Sequence, residues 1–94
     1  MINENKRKVE GGKFARIGIE ITDNSISSVK ITGDFFLHPE NVLEKIEDAL
    51  KGTKLPFNAV EAEKKIVEVL EAEKAKLVGV SAKDIAEMID ECVK

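Results

Sequence analysis

Ala15-Arg16-Ile17-Gly18-Ile19-Glu20-Ile21-Thr22-Asp23-Asn24-Ser25-Ile26-Ser27-Ser28-Val29-Lys30-Ile31-Thr32 is the stretch on which the fold turns. Ala15, Ile17, Ile19 and Ile21 alternate with Arg16, Gly18, Glu20 and Thr22. That period of two describes a strand with one buried face. Asp23-Asn24-Ser25 supplies turn chemistry, because Asn and Asp tolerate left-handed backbone angles. A second alternation follows, with Val29 and Ile31 inward and Ser28, Lys30 and Thr32 outward. The two runs predict an antiparallel β-hairpin, roughly residues 13–22 against 26–35.

Downstream, the alternation stops at Gly33-Asp34-Phe35-Phe36-Leu37-His38-Pro39-Glu40. Pro39 suits the first position of a helix, which is expected to run to about Lys51. Val42, Leu43, Ile46, Ala49 and Leu50 form its apolar stripe, with Glu40, Glu44, Glu47 and Asp48 turned away. Gly52 is placed to end it in a left-handed cap. Asn58-Ala59-Val60-Glu61 has the form of a capping box ahead of a helix bearing Val60, Ile66, Val67, Val69 and Leu70, fading near Glu73 or Ala75. Ser81-Ala82-Lys83-Asp84 opens a last helix whose buried stripe is Ile85, Met88, Ile89 and Cys92. Strands first and helices afterwards indicate an α+β domain, a small antiparallel sheet of two or three strands with three helices on one face. Two strands alone make a marginal sheet, so a third is expected near Lys6–Glu10 or Leu77–Val80. Residues 1 to about 10 have no periodicity and read as a flexible lead-in, above all 1–7.

Composition narrows the function. The 94 residues make one domain, with 43% hydrophobic and 35% charged side chains. No apolar run reaches the roughly 18–20 residues that cross a bilayer, and Met1 to Lys8 is polar and basic rather than a secretory signal. A cytoplasmic protein with no membrane association is expected. One cysteine (Cys92) and one histidine (His38) exclude an internal disulfide and a structural zinc site of Cys and His ligands. The net charge is −3, yet Lys6, Arg7, Lys8, Lys13 and Arg16 outweigh Glu4 and Glu10 near the N-terminus. A short basic cluster without Trp or Tyr is a poor nucleic-acid surface, and no nucleic-acid partner is expected.

Few residues could carry chemistry. Gly11-Gly12-Lys13 lets the backbone approach a neighbour closely beside a mobile positive charge, which suits a loop reaching a phosphate or carboxylate in a partner's pocket. Its plainer reading is a flexible entry to a strand, and its spacing is not that of a phosphate-binding P-loop. Phe35 and Phe36 are adjacent, so in an extended segment they point to opposite faces, one to the core and one to an interface. Asp34 suits a cap on turn amides, and His38 beside Pro39 a helix cap. Cys92 falls on a buried stripe and reads as core packing rather than a nucleophile. No nucleophile is paired with a base, so no catalytic residue and no metal site is assigned.

At these segments the chain resembles the C-terminal accessory domain of lipoate–protein ligases. The resemblance rests on Lys8-Val9-Glu10-Gly11-Gly12-Lys13 before the first strand, on the Asp23-Asn24 hairpin, and on Ile31-Thr32-Gly33-Asp34-Phe35-Phe36-Leu37-His38-Pro39-Glu40 before an amphipathic helix. It covers roughly residues 6–93. It implies a fold similar to iron–sulfur scaffold proteins, although a single cysteine rules out a scaffold role. It implies an accessory subunit of a two-part ligase, inactive alone, that forms a heterodimer with a catalytic chain. With that chain it would be required for ATP-dependent activation of lipoate to lipoyl-adenylate, acting indirectly on lipoyl-acceptor domains. ATP, Mg and lipoate would sit at the catalytic chain, with no cofactor bound here. Gly11, Gly12 and Lys13 would face the partner's nucleotide or lipoate pocket, and Asp34, Phe35, Phe36 and His38 the partner interface. The alternative from the same composition is a non-enzymatic protein-interaction module unrelated to lipoate.

Overall fold

The computed structural model describes residues 2–8 and 14–93. The predicted hairpin is present as β2 (Phe14–Thr22) and β3 (Ser25–Gly33), antiparallel with Ile17 opposite Ile31 and Ile19 opposite Val29. Asp23 and Asn24 take φ of 53° and 60°, the left-handed pair that a tight hairpin turn demands. A bulge between Glu20 and Ile21 shifts the register. It brings Ile26 into the core and leaves Ile21 half-buried, where strict alternation had put Ile21 inside.

The N-terminal segment is a strand rather than a flexible lead-in. β1 (Ile2–Lys8) pairs antiparallel with β2 along its whole length, completing a sheet of order β1-β2-β3. Its core-side row is polar: Asn3, Asn5 and Arg7 lie opposite Ile19, Ile17 and Ala15. The row is held by α3 (Ala82–Val93). The Asn3 amide donates to the Cys92 carbonyl (2.7 Å), and Asn5 donates to Met88 O (3.2 Å) and Glu91 Oε1 (2.8 Å). Cys92 O belongs to the last turn, where a helix supplies no amide of its own. Arg7 reaches Glu87 and Glu91 at 3.0 Å each and Asp84 at 3.6 Å. Burial acts to lower the Arg7 pKa, but the hydrogen bonds and charges of Glu87 and Glu91 outweigh it, and the guanidinium stays firmly protonated. Leu77 and Val78, the other third-strand candidates, belong to β5 (Lys76–Val78), which pairs with β4 (Phe36–His38) in a separate two-stranded sheet.

α1 (Val42–Leu50) packs on β3, α3 packs on β1 and β2, and α2 (Ala59–Ala72) lies across both helices. One core joins Ala15, Ile17, Ile19 and Ile31 of the sheet to Val42, Ile46 and Leu50 of α1, Ile66 of α2, and Ile85, Met88, Ile89 and Cys92 of α3. The opposite face of the sheet carries Lys6, Lys8, Arg16, Glu20 and Lys30 in solvent. α1 begins at Val42, not at Pro39. The Pro39 and Glu40 carbonyls accept from Val42 and Leu43 in a preceding turn, so helical bonding starts later. Gly52, at φ 84°, follows α1 in the expected left-handed conformation. In α2, Asn58 Oδ1 accepts from Glu61 N, but Val60 and Val67 face solvent, and Ala62 with Ile66 takes the buried side. Ser81 and Asp84 cap α3 reciprocally: Asp84 N donates to Ser81 Oγ and Ser81 N to Asp84 Oδ2, both 3.0 Å.

Candidate functional site

Gly33 ends β3 where the chain passes so close to Phe14 that a Cβ would collide with the Phe14 carbonyl oxygen. Asp34 N donates to that oxygen at 2.7 Å, the last rung of the ladder. The chain then leaves the sheet into β4. Phe35 turns in against the core, half-buried; Phe36 is 54% exposed; Leu37 is buried; His38 is exposed. The adjacent phenylalanines therefore divide as their spacing requires. The Phe36 and His38 rings stack with centroids 6.2 Å apart. Phe36 pairs across the strands with Val78, itself 48% exposed. Together they form an apolar surface on a domain whose sheet exterior is charged.

Between this surface, the outer edge of β3 and α1 lies an open cleft of about 750 Å³. Phe35, Leu37, Leu43 and Ile31 give it an apolar lining, and Glu40, Glu44 and Glu47 stand along its α1 side. Glu47 departs from expectation. Helical spacing had turned it to solvent, yet its Oε2 accepts from the Ile31 amide at 2.8 Å, so it is half-buried against the sheet edge. No sequence signal separates it from its neighbours on α1, because its partner is a main-chain group.

Asp34, Phe35, Phe36 and His38 thus come together at one end of the fold. Two of their expected roles differ. Among the described residues the Asp34 carboxylate caps no turn amide, and His38 ends β4 rather than capping α1, whose cap position is Asn41 without a side-chain bond. Gly11, Gly12 and Lys13 lie outside the described residues. Lys8 and Phe14, which flank them in sequence, pair at the end of the sheet where Asp34 meets Phe14. Cys92 is in the core; burial first, then Glu91 and Glu4, push its pKa up, which keeps it a thiol. Among the described residues no three Asp, Glu, His or Cys side chains gather as a metal site. The three carboxylates on the α1 side of the cleft would repel a triphosphate or the carboxylate of lipoate, with Lys30 the one lysine among the lining residues.

Fold and site define a class: a two-layer α+β domain with three helices over one face of an antiparallel sheet and a cleft beside its edge strand. The family is bacterial lipoate protein ligase C-terminus, whose model matches residues 2–89, and the chain belongs to it. It is 31% identical over 55 residues to lipoate-protein ligase A subunit 2 of Thermoplasma acidophilum, a match covering 58% of this chain and 56% of that protein, about half of the relative's length. It superposes on a chain from the solved archaeal lipoylation system of T. acidophilum, described as a bipartite lipoate protein ligase and its E2 lipoyl domain, with a TM-score of 0.76. Identity there is 22%, with 95% of this chain and 94% of that one covered, which establishes a shared fold.

Proposed function

We propose that this chain is the accessory subunit of a two-part lipoate–protein ligase, docking on a catalytic chain to form a heterodimer competent for ATP-dependent activation of lipoate to lipoyl-adenylate. The observation that carries the reading is the family match over residues 2–89. The resemblance to subunit 2 of the Thermoplasma ligase supports it. ATP, Mg and lipoate belong to the catalytic chain in this reading, and the present chain contributes shape. An adenylation pocket must exclude water and order its reactants, and a docked second domain serves both ends. Phe36 is the docking anchor, and Gly11-Gly12-Lys13 faces the partner's pocket, with Lys13 offering its charge to a phosphate or carboxylate oxygen.

Lipoate adenylation by the candidate catalytic chain, measured with and without this protein, tests the reading. Adenylate should form only with both chains. Lys13→Ala should slow that step while leaving lipoyl transfer from preformed adenylate unchanged. A catalytic chain fully active alone would instead favour an interaction module with no part in lipoate chemistry.

A further inference from the structure

The free edge of β3 is unevenly covered. Because Asp34 N donates to Phe14 O, residues 28, 30, 32 and 34 direct their backbone groups to β2, and Val29, Ile31 and Gly33 direct theirs outward. The chain covers the near end of this edge itself. Ile26 N donates to Thr53 O (2.8 Å), Gly52 N donates to Ile26 O (2.7 Å), and Ser25 bridges Lys54. Further along, the Glu47 carboxylate takes the Ile31 amide. Among the described residues, the outward groups of Val29 and Gly33 and the Ile31 carbonyl meet no partner. Such an edge is a template for another strand unless it is blocked. Here the cleft opens beside it, with Phe36 and His38 on β4 as the facing wall.

We propose that this cleft receives one extended segment of the catalytic chain as an added strand on β3. The proposal rests on the reading of the protein as a docked subunit and deepens it by naming the mode of docking. Backbone groups of the segment would pair with Val29, Ile31 and Gly33, displacing the Glu47 carboxylate from the Ile31 amide. Alternate side chains of an added strand point to opposite sides, so only one row faces α1, where Leu43 lies among Glu40, Glu44 and Glu47. That row meets apolar and acidic groups together, and charge complementarity asks for Lys or Arg within it, while the other row lies beside Lys30 and Thr32 on the open side. The occupant is therefore a strand whose α1-facing row combines apolar and basic residues. Glu47 keeps the edge from pairing indiscriminately until that strand arrives.

Amide hydrogen exchange of the isotope-labelled chain, alone and with the catalytic chain, reads the pairing residue by residue. Val29, Ile31 and Gly33 should slow by about tenfold or more in the complex, and the already paired Lys30 and Thr32 by less. Glu40→Arg with Glu44→Arg should weaken association by about tenfold, with the thermal midpoint of the free chain unchanged; the same reversal at Glu63 and Glu68 on α2 should leave association intact. A complex that forms without protecting the three outward amides overturns the strand proposal and leaves the docked-subunit reading standing. No complex at all overturns both. Protection that appears with concentration in the free chain assigns the edge to a second copy of this protein and overturns the proposal.

Discussion

Phe35 and Phe36 differ by one position and by opposite surroundings, so their truncations should separate folding from docking. Phe35 packs on the core, half-buried. Phe35→Ala should cost about 1–3 kcal/mol of unfolding free energy, read by urea denaturation. Phe36 is more than half exposed, so Phe36→Ala should leave that curve alone. Its loss should weaken association with the catalytic chain by about tenfold or more, since burying a phenylalanine is worth roughly 1.5–3 kcal/mol. Equal destabilisation by both would remove Phe36 as the anchor. Cys92 makes a third residue-scale case. Burial holds its pKa above the ordinary 9.0, so the unfolded chain ionises first as pH rises. The stability it contributes is complete below pH 9 and is lost as pH climbs through the folded value. Denaturation midpoints from pH 7 to the alkaline side should therefore fall more steeply for the native chain than for Cys92→Ala; parallel curves would mean that the thiol is not titrating in the core.

The elements that could be read in advance were those whose side chains advertise their faces. β2 and β3 alternate, and their turn residues demand positive φ. α3 shows Ile85, Met88, Ile89 and Cys92 at helical spacing behind a reciprocal cap. β1 could be read only in part: the size of the sheet called for a third strand near Lys6–Glu10, but its start at Ile2 was hidden, because its core-side row is Asn3, Asn5 and Arg7, and its inward direction is set by α3 carbonyls and carboxylates that meet it only after folding. Glu47 and the outer edge of β3 were hidden for the same reason: main-chain groups leave no trace in a hydropathy pattern. An exposed phenylalanine, by contrast, was legible in the adjacent pair Phe35-Phe36, which no single face could bury, although the pattern left open which of the two it is. The cost of removing β1 tests how far it belongs to the fold. Deleting residues 1–8 takes away seven ladder positions and the Asn3, Asn5 and Arg7 contacts, where each hydrogen bond is worth about 0.5–1.5 kcal/mol net. Thermal unfolding should drop by several degrees or lose cooperativity, with amides on the β1 side of β2 exchanging freely. An unchanged melt would mean that the segment lies on the domain without stabilising it.

Over the whole molecule, the net charge of −3 conceals two faces of opposite character. Lys6, Lys8, Arg16 and Lys30 occupy the open side of the sheet, against Glu4 and Glu20, while Glu40, Glu44 and Glu47 stand along the α1 side of the cleft. A partner approaching such a molecule is oriented by it before contact, because fields of this kind reach about one Debye length, roughly 8–10 Å at physiological salt. If docking is through the cleft, the side presented to the catalytic chain is mainly acidic and apolar, with Lys30 at its edge, and Lys6, Lys8 and Arg16 are left outside the interface. Salt then acts chiefly on the three glutamates. Raising the ionic strength from 50 to about 500 mM should weaken association, chiefly by slowing the on-rate, by about tenfold. The apolar contribution of Phe36 persists, so binding should level off rather than vanish. Lys6→Glu with Arg16→Glu should leave the affinity and its salt dependence where they were, whereas Glu44→Arg should flatten the salt dependence as well as lower the affinity. Titration calorimetry across the salt series, with stopped-flow association for the on-rate, gives both quantities. Loss of binding on reversing the sheet charges, with none on reversing Glu44, would place the docking face on the open side of the sheet instead.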